Sequence, residues 1–156
     1  MTLRNRLPLW QSRWLAGFAA AGVVAASMVP MPVLAQTNPM KIRLQLDDAV
    51  ATATLEDSVA ARDFAALLPL TVTLKDYAKI ERITDLPRKL SIAQASMGMT
   101  PVTGDIAYYA PWGNLAIYLS GTVSDRGLVR LGRVDSGLSA LQRPGPFTVR
   151  IERASD

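Results

Sequence analysis

The chain has no cysteine and no histidine among its 156 residues, and these two absences exclude much familiar chemistry. Without cysteine, no disulfide can stabilise the fold, so stability must come from a well-packed core. Without either residue, no Ser-His-Asp or Cys-His nucleophile system can be assembled, and ordinary zinc sites lose their usual ligands. An enzyme that uses tyrosine, aspartate or lysine stays open as a further alternative.

Long hydrophobic runs are also scarce. The most extended one, Trp14 to Val29, is shorter than the roughly 20 residues that a membrane-spanning helix needs. Three arginines and no acid precede it, and the small-residue site Val33 to Ala35 follows it, ahead of a polar Gln36. This order predicts a cleavable signal peptide over residues 1–35 and a short linker over 36–39. The alternative is an uncleaved membrane anchor, which would leave the site before Gln36 without a role.

The expected protein is therefore exported, either periplasmic or secreted, with no stable membrane anchor after cleavage. The formal net charge of +4 falls to +1 when residues 1–35 are removed, because three arginines leave and no acid does. A nucleic-acid partner loses its main electrostatic argument at that charge. Residues 36–156 suffice for one hydrophobic core of ordinary size, but not for two domains.

Acidic pairs and glycines give no signal for a metal or a cofactor. Asp47-Asp48 and Glu56-Asp57 are neighbours in sequence, and neighbouring side chains on a strand point to opposite faces. We interpret the pairs as a turn and a helix N-terminus, with a carboxylate-only metal site as the weaker alternative. The glycines at 121, 127, 132 and 137 do not have the spacing of a nucleotide-binding loop and indicate bends or tight strand packing.

Alternation of apolar and polar residues predicts a mainly β fold. One helix is predicted over Val59–Leu68, capped by Asp57 or Ser58 and ended by Pro69, with a short helical turn over Ser136–Leu141. The weak pattern from Asp76 to Pro101 is interpreted as irregular. The predicted strands are Met40–Leu46, Val50–Leu55, Leu70–Leu74, Gly104–Ala110, Asn114–Ser120, Leu128–Val134 and residues 147–152. So many short strands with one helix favour a small closed barrel or a sandwich.

Two glycine-punctuated runs carry a resemblance to a known family. They are Gly104–Tyr118 (GDIAYYAPWGNLAIY) and Gly127–Leu138 (GLVRLGRVDSGL), and they resemble the bacterial cyclophilin-like fold family of small domains. The resemblance covers residues 40–153. It implies a closed β-barrel of about eight strands with one or two capping helices, related in shape to peptidyl-prolyl isomerases. Shape alone does not transfer an activity.

The isomerase chemistry requires an arginine aimed at the proline nitrogen inside an apolar aromatic pocket. The resemblance implies that this arginine lies on the strand after the first helix, and Leu70–Leu74 has none. Arg82 and Arg88 lie further on, and both are interpreted as solvated surface cations. Arg88 is the weak catalytic candidate, since it could reach the site from a loop. The strand Asn114–Tyr118 also lacks the glutamine that a cyclophilin would offer there.

An aromatic constellation is the remaining candidate site. Tyr108 and Tyr109 fall on one predicted strand, and Asn114 and Tyr118 on the next. Trp112 lies in the turn that joins them, so a hairpin can bring the five residues together. The plainer interpretation is that alternate members fill the barrel while the others lie on its surface. The sharper one is a groove for an extended peptide or a small amphipathic ligand, with Arg88 or Lys89 meeting a carboxylate.

Two functions stay open from the sequence. The preferred one is an exported, non-catalytic module that binds a peptide or a small amphipathic ligand and needs no cofactor. The alternative is a peptidyl-prolyl cis-trans isomerase with a relocated arginine. The two functions differ in whether an arginine guanidinium reaches the predicted groove around the aromatic residues.

Overall fold

The computed structural model describes residues 39–154, and the predicted signal peptide at 1–35 lies outside them. The described part contains eight strands and two short helices. In chain order these are β1 (Met40–Gln45), β2 (Val50–Leu55), α1 (Val59–Ala65), β3 (Leu70–Tyr77), β4 (Glu81–Asp85), β5 (Asp105–Tyr109), β6 (Asn114–Tyr118), β7 (Leu128–Ser136), α2 (Leu138–Leu141) and β8 (Phe147–Arg153). Among these residues, neither helix has the length and apolar character needed to cross a membrane.

The strands close into an antiparallel barrel in the order β1, β2, β7, β5, β6, β4, β3, β8. Closure leaves each strand hydrogen-bonded on both sides, so the barrel has no free sheet edge. The predicted mainly β fold, a closed barrel of about eight strands with one or two short helices, is confirmed.

The core lies inside the barrel and is built from the alternation that the sequence predicts. β1 directs Ile42 and Leu44 inward, and β8 directs Val149 and Ile151 inward, all with almost no exposed surface. The helix α1 packs against β7 and adds Phe64, which is fully buried in the same cluster. The apolar faces of strands and helix thus share one core, which is the packing that a chain without disulfides requires.

The helix α1 is shorter than predicted. The Ser58 hydroxyl accepts a hydrogen bond from the Ala61 N–H at 3.1 Å, so Ser58, and not Asp57, is the N-cap. The helix ends at Ala65 instead of Leu68. The reason is Pro69, because a residue before proline is disfavoured in helical conformation and the chain leaves the helix ahead of it.

The segment Asp76–Pro101 was expected to be irregular, and this expectation is wrong in its first part. It holds the end of β3 and all of β4. The turn between them has Ala78 and Lys79 at positive φ, 52° and 59°, where glycine or asparagine would have signalled a hairpin. The inward face of β4 carries the polar residues Arg82 and Thr84. Its sequence therefore lacks the alternation of apolar and polar residues by which the other strands were predicted.

The prediction that some glycines mark tight strand packing is confirmed at Gly132. It lies on β7 opposite Leu55 of β2. A Cβ atom at this position would overlap the Thr54 carbonyl oxygen and lie 2.8 Å from the Leu55 Cα. Both of these are backbone atoms, so no side chain fits at this point of the barrel wall.

Candidate functional site

The outer face of the wall formed by β4, β5 and β6 carries a second apolar cluster. Leu115 and Ile117 of β6 point into the barrel, so Asn114, Ala116 and Tyr118 point outward. All five are nevertheless buried, because the outer face of β6 is covered as well. The second cluster is centred on Ala107, Ala116, Tyr118 and Leu128.

A groove of about 200 Å³ opens over this second cluster, and we call it the aromatic groove. Its floor includes Ile83, Ala116 and Leu128, and Thr122 and Val123 come from the segment between β6 and β7. Its aromatic members are Tyr77, Tyr109, Trp112 and Tyr118, and its ionisable or amide members are Glu81, Asn114 and Asp125. The volume suits one side chain or a small molecule.

Trp112 stands at the tip of the β5–β6 hairpin, where the predicted turn Pro111–Gly113 is confirmed. Gly113 has φ +77°, and its N–H donates to the Tyr109 carbonyl at 2.8 Å, which closes the turn. The Trp112 ring meets Tyr109 at 5.3 Å and 86°, and Tyr77 at 6.0 Å and 78°. These edge-to-face pairs are a favoured aromatic geometry. They hold Trp112 in place although 60% of its surface is exposed.

The polar end of the groove is acidic. Glu81 and Tyr118 face each other across β4 and β6, and Asp125 comes from the segment before β7. Burial raises the pKa of Glu81, the Tyr118 hydroxyl opposes this shift, and the negative charge of Asp125 adds to it. Burial also raises the pKa of Tyr118, as does the charge of Glu81. Of the described residues that line the groove, none is a lysine or an arginine.

Asn114 adds an unsatisfied acceptor to the groove. Its side chain lines the groove although only 3% of the residue is exposed. Its carboxamide oxygen is buried and has no hydrogen-bond partner among the described residues. A buried acceptor without a donor costs free energy, so this atom is suited to accept a hydrogen bond from a ligand.

The structure brings together four of the predicted ligand-binding residues and separates two. Tyr109, Trp112, Asn114 and Tyr118 line the aromatic groove. Tyr108 points into the barrel, is 1% exposed, and its hydroxyl accepts a hydrogen bond from the Leu90 N–H at 3.2 Å. Tyr108 therefore fills the barrel interior and does not contribute to the groove.

Arg88 does not line the groove. Its guanidinium donates two hydrogen bonds to the Asp63 carboxylate of α1, at 2.8 and 2.7 Å. These bonds, with one from the Ser91 N–H, hold the pKa of Asp63 down at about 2. The interpretation of Arg88 as an exposed cation agrees with this position, since 48% of its side chain is exposed.

The interpretation as a solvated surface cation is wrong for Arg82. Its side chain is only 4% exposed, because β4 directs it inward. It donates to the carbonyls of Leu141 and Arg143, at 2.9 and 2.6 Å, and to the Asp76 carboxylate at 2.6 Å. A buried guanidinium with three acceptors is a structural group.

Sequence reasoning missed the acidic side of the groove, namely Glu81 and Asp125, and also Tyr77. A signal existed for Glu81, since Glu81, Ile83 and Asp85 alternate with Arg82 and Thr84, and both Ile83 and Thr84 favour strands. Asp125 gave no such signal, because only folding brings it to β4. Within residues 39–154, no group of three histidine, cysteine or acidic residues is arranged to hold a metal ion.

The fold and the groove define a class: a small closed antiparallel barrel with a recessed site on its outer wall. The chain belongs to the cyclophilin-like family, since a family model of that description matches residues 44–152. It is also similar to the solution structure of the hypothetical protein AF2241 from Archaeoglobus fulgidus, with a TM-score of 0.58 and 19% identity. That match covers 74% of this chain and 95% of the other, and at this identity it shows the fold alone. No curated protein matches the chain.

Proposed function

We propose that the protein is an exported cyclophilin-like binding module that holds an extended peptide or a small amphipathic ligand in the aromatic groove without catalysis. The observation that carries the proposal is the combination of exposed Trp112 with the buried, unpartnered oxygen of Asn114 in one groove. Pockets of this kind, apolar with a few placed polar groups, are typical of ligand sites. Export stays a prediction from residues 1–35.

The isomerase alternative has less support, because it needs a guanidinium in the groove. Arg88 is held by Asp63, and Arg82 is held inside the barrel by Asp76 and two carbonyls. Bringing either arginine to the groove would break charge-assisted hydrogen bonds. The stem of Lys89 lies beside Gly113, and Lys89 is not among the residues that line the groove.

Trp112 provides a spectroscopic test of the proposal. The other two tryptophans, Trp10 and Trp14, lie in the predicted signal peptide, so in the processed protein the tryptophan fluorescence comes from the groove alone. Protein purified from the cell envelope after expression of the full chain is titrated with a library of acetylated tetrapeptides. We expect a saturable change in Trp112 emission with a subset of the peptides.

Trp112→Ala is then compared with Val102→Ala by calorimetry, using the best peptide. Val102 is also exposed, at 43%, but does not line the groove. Losing a central aromatic contact costs ~1.4 kcal/mol or more, so Trp112→Ala should bind about tenfold more weakly, while Val102→Ala should bind as the wild type does. Full affinity in Trp112→Ala, or no saturable signal with any peptide, would overturn the proposal.

A further inference from the structure

The aromatic groove combines three features that favour a positive charge: aromatic rings, carboxylates and a hydrogen-bond acceptor without a donor. The arrangement differs from the expected one, in which Arg88 or Lys89 would meet a carboxylate of the ligand. Both of these cations are absent from the groove lining, and two acids occupy it instead.

We propose that the aromatic groove recognises a cationic group, an ammonium such as that of a lysine side chain carried on an extended peptide. This inference rests on the proposed binding function and specifies the chemistry of the ligand. It predicts that charge, and not only apolar surface, decides which ligands bind.

The aromatic rings supply the first part of the recognition. Trp112 is nearly perpendicular to both Tyr77 and Tyr109, so the three rings form walls at an angle around the mouth of the groove. The face of an aromatic ring attracts a cation through its quadrupole, and tryptophan does so most strongly. A lysine stem also fits such a site, because its methylenes pack on apolar surface while its ammonium stays polar.

The carboxylates supply the second part. Glu81 and Asp125 line the same groove, and Glu81 is half-buried next to Tyr118. A partly buried carboxylate is less well screened by water, so its attraction to an ammonium is stronger than on an open surface. Bringing in a cation would also relieve the repulsion between the two acids.

The Asn114 oxygen supplies the third part, and it is independent of the acids. It is buried, lacks a partner among the described residues, and belongs to a residue of the groove lining. An ammonium has three donors and no acceptor, so it can donate a hydrogen bond to this oxygen. A carboxylate ligand has no donor to offer and would face Glu81 and Asp125 instead.

Three peptides test the inference by calorimetry on the envelope-purified protein: acetyl-Ala-Lys-Ala-amide, its norleucine counterpart and its glutamate counterpart. Norleucine keeps the apolar stem of lysine without the charge. We expect the lysine peptide to bind about tenfold more tightly than the norleucine peptide, and the glutamate peptide to bind least. Glu81→Gln and Asp125→Asn should each remove most of the lysine preference.

Asp57→Asn is the matched control, because it removes the same charge from an exposed position outside the groove lining. It should keep the full lysine preference. Equal affinity for lysine and norleucine peptides, with both weakened by Trp112→Ala, would overturn the cation inference and leave the binding function standing. Tightest binding of the glutamate peptide, or a lysine preference that survives both acid-to-amide variants, would also overturn it. Failure of all three peptides overturns the inference, while the tetrapeptide library still decides the binding function separately.

Discussion

At the scale of single residues, two arginines with the same expected role have opposite environments. Arg82 lies on the inward face of β4 and donates to three oxygens, whereas Arg88 lies on the surface and pairs with Asp63. Composition and spacing could not separate them, because both lie in a segment without a clear pattern. What separates them is the register of β4, which a sequence with polar residues on both faces does not reveal.

This difference makes a stability prediction. Arg82→Ala leaves the Leu141 and Arg143 carbonyls without a donor and should lower the free energy of unfolding by about 3–5 kcal/mol. Arg88→Ala breaks an exposed pair and should cost less than about 1 kcal/mol. Urea denaturation of both variants measures the two losses. Equal losses would mean that Arg82 does not hold β4 to the chain around α2.

Glu81 makes a pH-dependent prediction. The groups that face it are Tyr77 of β3 and Tyr118 of β6, both in register with it, and Asp125 from the segment before β7. Because its pKa is raised in the folded state, its contribution to stability is fully present below about pH 4.5, its unfolded value, and is lost as pH rises through the folded pKa.

The variant Glu81→Gln cannot ionise and so avoids the loss of stability that ionised Glu81 causes. The melting temperature of this variant should exceed that of the wild type by about 1–5 °C at pH 7. At pH 4 the two proteins should melt together. Asp57→Asn serves as the control with no expected gain at either pH. A gain for Glu81→Gln that is the same at both pH values would show that ionisation of Glu81 does not cost stability.

At the scale of elements, alternation predicted the strands whose two faces differ most. Seven of the eight strands were expected, and β8 has the predicted phase, with Val149 and Ile151 inside and Thr148 and Arg150 exposed. The strand that was missed, β4, combines a polar inward face with a turn that lacks glycine. The early end of α1 follows from Pro69, whose effect reaches further back than the sequence pattern alone indicated.

The β2–β7 seam carries the element-scale prediction. Gly132→Ala places a Cβ against backbone atoms of Thr54 and Leu55, which cannot move without disturbing the barrel, and should destabilise the protein by about 1–3 kcal/mol. Gly121→Ala is the matched control, because the nearest atom to its Cβ is the Pro101 carbonyl oxygen, at an ordinary 3.5 Å. Urea denaturation compares them. Equal stability of the two variants would show that the β2–β7 contact is looser than described.

At the scale of the whole molecule, the fold was predictable and the site only in part. The runs Gly104–Tyr118 and Gly127–Leu138 contain β5, β6 and β7, and the hairpin of the first run supplies Tyr109, Trp112, Asn114 and Tyr118 to the groove. Tyr77 and Glu81 join them because β4 pairs with both β3 and β6, and Asp125 comes from the segment between β6 and β7. Such long-range pairing leaves no local signal in a single sequence, so the acidic character of the groove was not foreseen.

The central claim is that the groove binds a ligand without isomerising proline. A nuclear magnetic resonance exchange spectrum of acetyl-Ala-Lys-Pro-Ala-amide with the envelope-purified protein tests both halves at once. Uncatalysed isomerisation takes tens to hundreds of seconds, too slow for exchange cross peaks at a mixing time of about one second. We predict that the peptide resonances shift on binding and that no cis-trans cross peaks appear. Cross peaks that appear with the protein, or resonances that do not shift at all, would contradict the account, and loss of the cross peaks in Arg88→Ala would assign the isomerisation to that arginine.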